Sequence, residues 1–129
     1  MTARHLHSSG SPFEASIGFS RAVRVGNRIL VSGTAPVESD GTSTPGDAEA
    51  QAHRCISIIV AAIEALGGRA SDVVRTRIVL ADAGDAEAVG RAHGARFGAV
   101  RPLSTMIAGA VLLRSEWRVG IEAEAEILG

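Results

Sequence analysis

Near the end of the chain, Ile121, Ala123, Ala125 and Ile127 alternate with Glu122, Glu124 and Glu126. A period of two sends successive side chains to opposite faces of a β-strand, so this chain is committed to a sheet with one apolar, covered face and one polar face. The three carboxylates share the polar face at intervals of about 7 Å, twice the strand rise of roughly 3.3 Å per residue. Like charges at that spacing are tolerated in water but need counter-charges where they are covered. The ordinary reading is a solvated sheet face; the alternative is an acidic wall at a cleft or a subunit interface.

The covering layer is legible upstream. Asp47 is placed to cap a helix in which Ala52, Ile56, Ile59, Ile63 and Leu66 recur at spacings of three and four, and Gly67-Gly68 stops it. Cys55, Ile58, Val60 and Ala62 widen its apolar stripe, which predicts burial on more than one side. A second helix is expected from Asp85, as cap, to about Phe97, with Val89, Ala92, His93 and Phe97 along one stripe.

Strands account for most of the remainder. Ser20–Pro36 reads as a hairpin turning at Gly26-Asn27, and Gly33 near its end suits a bulge or a close backbone approach. Ser71–Ala81 reads as a strand with Val74, Thr76, Ile78 and Leu80 on one face and Arg75 and Arg77 on the other, where they can meet the glutamate row. Two further strands are expected at Leu103 to about Val111 and at Trp117–Ile127, after Pro102 closes the second helix. Residues 1–15, rich in Ser, His and Gly, predict a loose N-terminal arm, and residues 38–46 a polar loop.

This order describes an α+β fold in which two α-helices pack on one face of a sheet. The other face is left for a partner subunit, so an oligomer is expected. At 129 residues, 46% of them hydrophobic, the chain forms one domain, 1–129, with no room for a second.

Charge and composition exclude several roles. With 13 Lys and Arg against 14 Asp and Glu, only 3% aromatic residues and no Tyr, the chain has neither the electrostatic footprint nor the stacking platforms of a nucleic-acid binder. No apolar run reaches the ~20 residues of a membrane span. A single cysteine and a start without the apolar core of a signal peptide predict a cytoplasmic location.

Reactive motifs are absent by inspection: there is no GxSxG, P-loop, GxGxxG or HExxH. Cys55 reads as a packed small hydrophobe. His5 and His7 share a side if the arm is extended, but no third ligand stands nearby, so no metal is expected. His93 is more ordinarily a hydrogen-bonded core residue than a catalytic one.

Four segments in order resemble the YjgF/RidA family: IGFSRAVRVGNRILVSGTAP; the first helix with LGG and DVVRTRIVLAD; VGRAHGARFG; and RPLSTM followed by IEAEAEI. The resemblance implies a chorismate-mutase-like fold, a homotrimer with sheets inward and helices outward, and a small-molecule cleft at each subunit junction. It also implies cofactor-free hydrolysis of reactive imines and enamines to ketoacid and ammonia. In that family an arginine two residues after a proline holds the substrate carboxylate bidentately, and a glutamate on the last strand helps place water.

The chain departs from the family at both places. Ser104 stands where the resemblance puts the arginine, and Arg101, three residues earlier across Pro102, is no simple substitute. Gly120 stands at the glutamate position, although a two-residue shift brings Glu122 there as an acid/base candidate. The resemblance assigns the remaining cleft positions to Phe19 in place of tyrosine, to Ser32 and Gly33 at the strand end, to Gly90 in place of asparagine and to Met106 in place of cysteine. The expected function is therefore a trimer that acts on or binds a small imine- or enamine-like metabolite without the arginine clamp. The alternatives are the standard deaminase and a non-enzymatic metabolite-binding or interaction protein.

Overall fold

The alternating C-terminal segment forms β6 (Val119–Glu126), and it lies inside the sheet. In the computed structural model, which describes residues 3–128, five more strands join it: β1 (Arg4–His7), β2 (Ala22–Val25), β3 (Arg28–Thr34), β4 (Val73–Leu80) and β5 (Leu103–Ile107). Their order is β1-β2-β3-β6-β4-β5, with only the β4–β5 pair parallel.

Because β3 and β4 both run antiparallel to β6, they run parallel to each other. Parallel strands cannot be joined by a tight turn and need a long crossover. Helix α2 (Ala48–Ala65) makes the first crossover, and α3 (Ala86–Phe97) makes the second, from β4 to β5. The last strand then enters the gap between β3 and β4. A connection of this kind is invisible to any local pattern.

The core lies between the helices and one sheet face. Ile29, Ile78, Leu80 and Ile121 of the sheet are buried with Ile56, Ile59 and Ile63 of α2 and Val89 and Phe97 of α3. Each fully buried aliphatic side chain of this size contributes about 1.5–3 kcal/mol. In β6, Val119, Ile121, Ala123 and Ala125 are buried while Glu122, Glu124 and Glu126 lie on the other face, as the alternation requires. Asp47 caps α2, accepting a hydrogen bond from the Ala50 N–H at 2.9 Å.

Several expectations need correction. The segment expected as a loose arm is built into the fold: β1 pairs with β2, and a short α1 (Pro12–Ile17) follows, capped by Ser11 and ended by Gly18 at φ 91°. The sequence had suggested two helices; α1 makes a third. Residues 1 and 2 lie outside the described residues.

The arm is held because Glu14 is buried, accepts hydrogen bonds from the Ser9 backbone and hydroxyl, and sits 3.7 Å from the Arg21 guanidinium. Burial alone would raise the Glu14 pKa, but the bonds from Ser9 and Ser8 and the charge of Arg21 together hold it below the usual carboxylate range.

Val74 is exposed and Val73 buried, the reverse of the expected alternation. The register of β4 against β6 slips between Val73 and Arg75, and such a bulge shifts each residue before it to the opposite face. Asp85 sits at the N-cap of α3 without capping it: its carboxylate instead accepts two bonds from Arg118, both at 3.0 Å. A bidentate, charge-assisted pair outweighs a single bond to a backbone N–H. The penultimate strand ends at Ile107, short of Val111, and Trp117 precedes β6, buried with its indole N–H donated to Ser43.

Candidate functional site

Ser104 lies on the edge strand β5, directly beside Thr76 in the parallel register. Neighbours in such a register project to the same face, and the two hydroxyls meet at 2.8 Å, with Thr76 donating. Thr76 is fully buried, and its oxygen is also 2.8 Å from His93 Nε2 on α3. A continuous path of hydrogen bonds thus runs from the helix layer through β4 to the exposed Ser104. Burial pushes the His93 pKa below its ordinary value, which favours the neutral ring, and the ring packs against Phe97 with centroids 5.2 Å apart.

Two other predicted site residues gather here. Gly90 is exposed one turn before His93 on the same side of α3, and a Cβ built on it would touch nothing within 4 Å. Met106 follows Ser104 by two residues, so it shares the same face of β5, where it is 38% exposed. Arg101 enters the strand from a left-handed backbone at φ 59°, its N–H donated to the Phe97 carbonyl.

Phe19, Ser32 and Gly33 form a second group elsewhere on the sheet. The register of β3 against β6 slips between Val31 and Thr34, which makes Ser32-Gly33 the bulge that the glycine suggested. The Gly33 carbonyl accepts a bond from Arg21 Nη1 at 2.7 Å, and the same nitrogen donates to Thr34 Oγ1 at 3.0 Å. Phe19 lies under the Arg21 guanidinium, 5.4 Å from its ring centroid, while the Ser32 hydroxyl donates to the Ser20 carbonyl at 2.7 Å. The two groups are carried by β3 and β5, with β6 and β4 between them. Three strand spacings put them roughly 14 Å apart.

Glu122 lies toward the second group, lining one cavity with Ser32. It takes the Arg77 guanidinium at 2.6 Å on the open sheet face, where Glu124 takes Arg28 at 3.0 Å. Arg77 thus meets the glutamate row as its register implied, and Arg75 stands opposite Glu124. A cavity of about 230 Å³ on this face is lined in part by Ser32, Arg75, Arg77, Glu122 and Glu124. Gly120 lies opposite Val79, where an added Cβ would make only ordinary contact with the Thr34 carbonyl.

Cys55 is fully buried, and burial pushes its thiol up to about 12. Among the described residues no group of three His, Cys, Asp or Glu side chains is placed to hold a metal, and no helix is long and apolar enough to cross a membrane.

Sequence reasoning missed Thr76 as the link between His93 and Ser104, because it read that residue only as a core position. It also missed Arg21 and Glu14. An arginine and a glutamate flanking an aromatic within eight residues offered a signal, but the supposed arm concealed it.

Comparison with known proteins gives one consistent result. Residues 10–127 match the family described as Endoribonuclease L-PSP. An uncharacterized protein of Streptomyces coelicolor, SCO2049, is 40% identical over 117 residues, covering 91% of this chain and 87% of that one. The 2-iminobutanoate/2-iminopropanoate deaminase of Escherichia coli is 33% identical over 84 residues, 64% of this chain and 66% of its own length. The crystal structure of Rv2704 from Mycobacterium tuberculosis, of the YjgF/YER057c/UK114 family, superposes with a TM-score of 0.89 at 36% identity, covering 97% of this chain and all of the other.

Proposed function

The chain belongs to the YjgF/RidA family, and from that premise we propose that it assembles as a homotrimer whose subunit junctions form clefts for a small, reactive, imine- or enamine-like metabolite. The cleft works without a guanidinium clamp and without a cofactor. The one domain spans 1–129, and its place is the cytoplasm, in keeping with a lone cysteine that is buried.

One observation carries this reading: the predicted cleft residues fall into two separated groups. Gly90, Ser104 and Met106 lie along β5 and α3, while Ser32 and Gly33 lie at the end of β3 and Phe19 just before β2. The edge strand between them and any neighbour is apolar and open, with Leu103 66% and Ile107 51% exposed. Docking β5 of one copy against the β3 end of the next covers those side chains and closes a cleft from two half-sites.

The standard deaminase is the second reading, supported by the similarity to the Escherichia coli enzyme. Against it stands the chemistry at Ser104, whose hydroxyl neighbours are uncharged at neutral pH. Arg21, the one buried guanidinium among the described residues, belongs to the other half-site and is already engaged by Glu14, Gly33 and Thr34. Leaving a desolvated carboxylate without its bidentate partner costs at least about 1–3 kcal/mol of binding, and more because the group is charged. The ribonuclease reading suggested by the family description is weaker still, since the charge is balanced and aromatics are scarce.

The test is ammonia release from 2-aminoacrylate and other amino-acid-derived imines by the wild type and by Ser104→Arg. Weak wild-type turnover of carboxylate imines, with a gain in Ser104→Arg, is expected. Wild-type turnover equal to that of arginine-bearing relatives would establish the standard deaminase instead. No turnover by either, with a metabolite retained through purification, would favour a binding protein.

A further inference from the structure

The contacts of His93, Thr76 and Ser104 fix how their hydrogens are shared. A threonine hydroxyl has one hydrogen to give. With Thr76 giving it to Ser104, the threonine lone pairs face His93 Nε2, an arrangement that goes with an Nε2–H tautomer donating to Thr76. Hydrogens therefore run outward, from α3 through β4 to β5. Each bond in such a chain polarises the next, which makes the last hydroxyl a stronger donor than an isolated serine. Among the described residues Ser104 donates to none, so its hydrogen is available to a group from outside the chain.

We propose that Ser104, backed by Thr76 and His93, is a neutral donor subsite that selects a ligand whose anchoring group is an uncharged acceptor, such as a carboxamide carbonyl, over one anchored by a carboxylate. The inference rests on the cleft reading above and names the ligand class for it. A carboxylate is satisfied by two or more charge-assisted donors, which the family arginine supplies in a fixed fork. One hydroxyl supplies a single bond and no charge. Burial keeps His93 neutral, so no positive charge reaches the subsite through the relay. A carbonyl oxygen asks for no more than the subsite offers, and the open space over Gly90 leaves room for the rest of the group.

The geometry also separates His93 from a merely structural role. Its hydrogen bond is to Thr76, and it acts on Ser104 through that residue, so it is a positioning residue. Its removal should weaken the binding of neutral ligands while leaving carboxylates unaffected.

The experiment titrates the full-length protein with 2-oxobutanamide and 2-oxobutanoate, which are nearly isosteric and differ in charge. Wild type should bind the amide about tenfold or more tightly than the acid, the penalty of leaving a desolvated charge short of its partners. Ser104→Ala should erase the preference, Ser104→Arg should reverse it, and His93→Phe should reduce amide affinity severalfold. Tighter binding of the acid by wild type, equal binding of both, or a preference unchanged in Ser104→Ala would overturn the inference while leaving the cleft in place. Binding of neither probe by wild type would overturn it too; acid binding by Ser104→Arg would then still support the cleft. If His93→Phe does not fold, the imidazole ¹⁵N spectrum of the wild type decides. An Nε2–H tautomer is expected, and an Nδ1–H tautomer contradicts the outward relay.

Discussion

Thr76 is fully buried, yet its hydroxyl reaches partners on two other elements, which is why no local pattern exposed its role. Its position in β4 predicted a core residue, and a core residue it is. What the sequence could not supply was the parallel register that sets Ser104 beside it, or the crossover that brings His93 over it. The identity of Ser104 was legible, because its place after Pro102 carries the family resemblance; its chemistry was not.

The state of His93 makes a prediction at this scale. Burial lowers its folded pKa below the ordinary value of 6.5, so as pH falls through that value the unfolded chain binds more protons than the folded one. The stability owed to the neutral ring is complete above about 6.5 and is lost progressively below it. Urea unfolding at pH 7.5 and pH 5.5 should show a loss for the wild type that is smaller for His93→Phe. Equal losses in the two proteins would contradict the assignment.

At the scale of elements, the long helix and the hairpin were legible because their signals are local: a cap at Asp47, a stripe of isoleucines and a turn at Gly26-Asn27. The arm was misread because β1 and α1 are held by one buried ion pair and by pairing to β2, which composition does not record. Val74 was misread because a bulge resets the alternation that carried the expectation.

The entry to β5 shows a further tension. Arg101 is the one residue other than glycine, among those described, held at positive φ, which costs an L-residue about 1–2 kcal/mol. Arg101→Gly should relieve that strain for a net gain of about 0.5–1 kcal/mol, since glycine loses more freedom on folding. A rise in thermal midpoint of a few degrees checks it; a fall would show that the arginine makes contacts that outweigh the strain.

For the whole molecule, the sheet order supports the proposed function. One chain carries the two groups of proposed cleft residues with two strands between them, and an apolar edge strand whose Leu103 and Ile107 are left exposed by the other described residues. Fold class was readable from element order because two amphipathic helices must cover a sheet face. The insertion of β6 between β3 and β4, which sets the distance between the half-sites, depends on contacts remote in sequence and was not readable.

The central claim is that Phe19 of one copy meets Ser104 of another, and chemical cross-linking reads this directly. Cys55 is buried with its thiol pushed up to about 12, so it provides a silent background for introduced cysteines. Phe19→Cys and Ser104→Cys variants, mixed, dissociated and reassembled, are treated with a short bis-maleimide and separated under denaturing conditions. A dimer band that appears in the mixture and in neither variant alone is the predicted result. Its absence from a mixture shown by mass to have reassembled, or a protein that is monomeric throughout, would contradict the account.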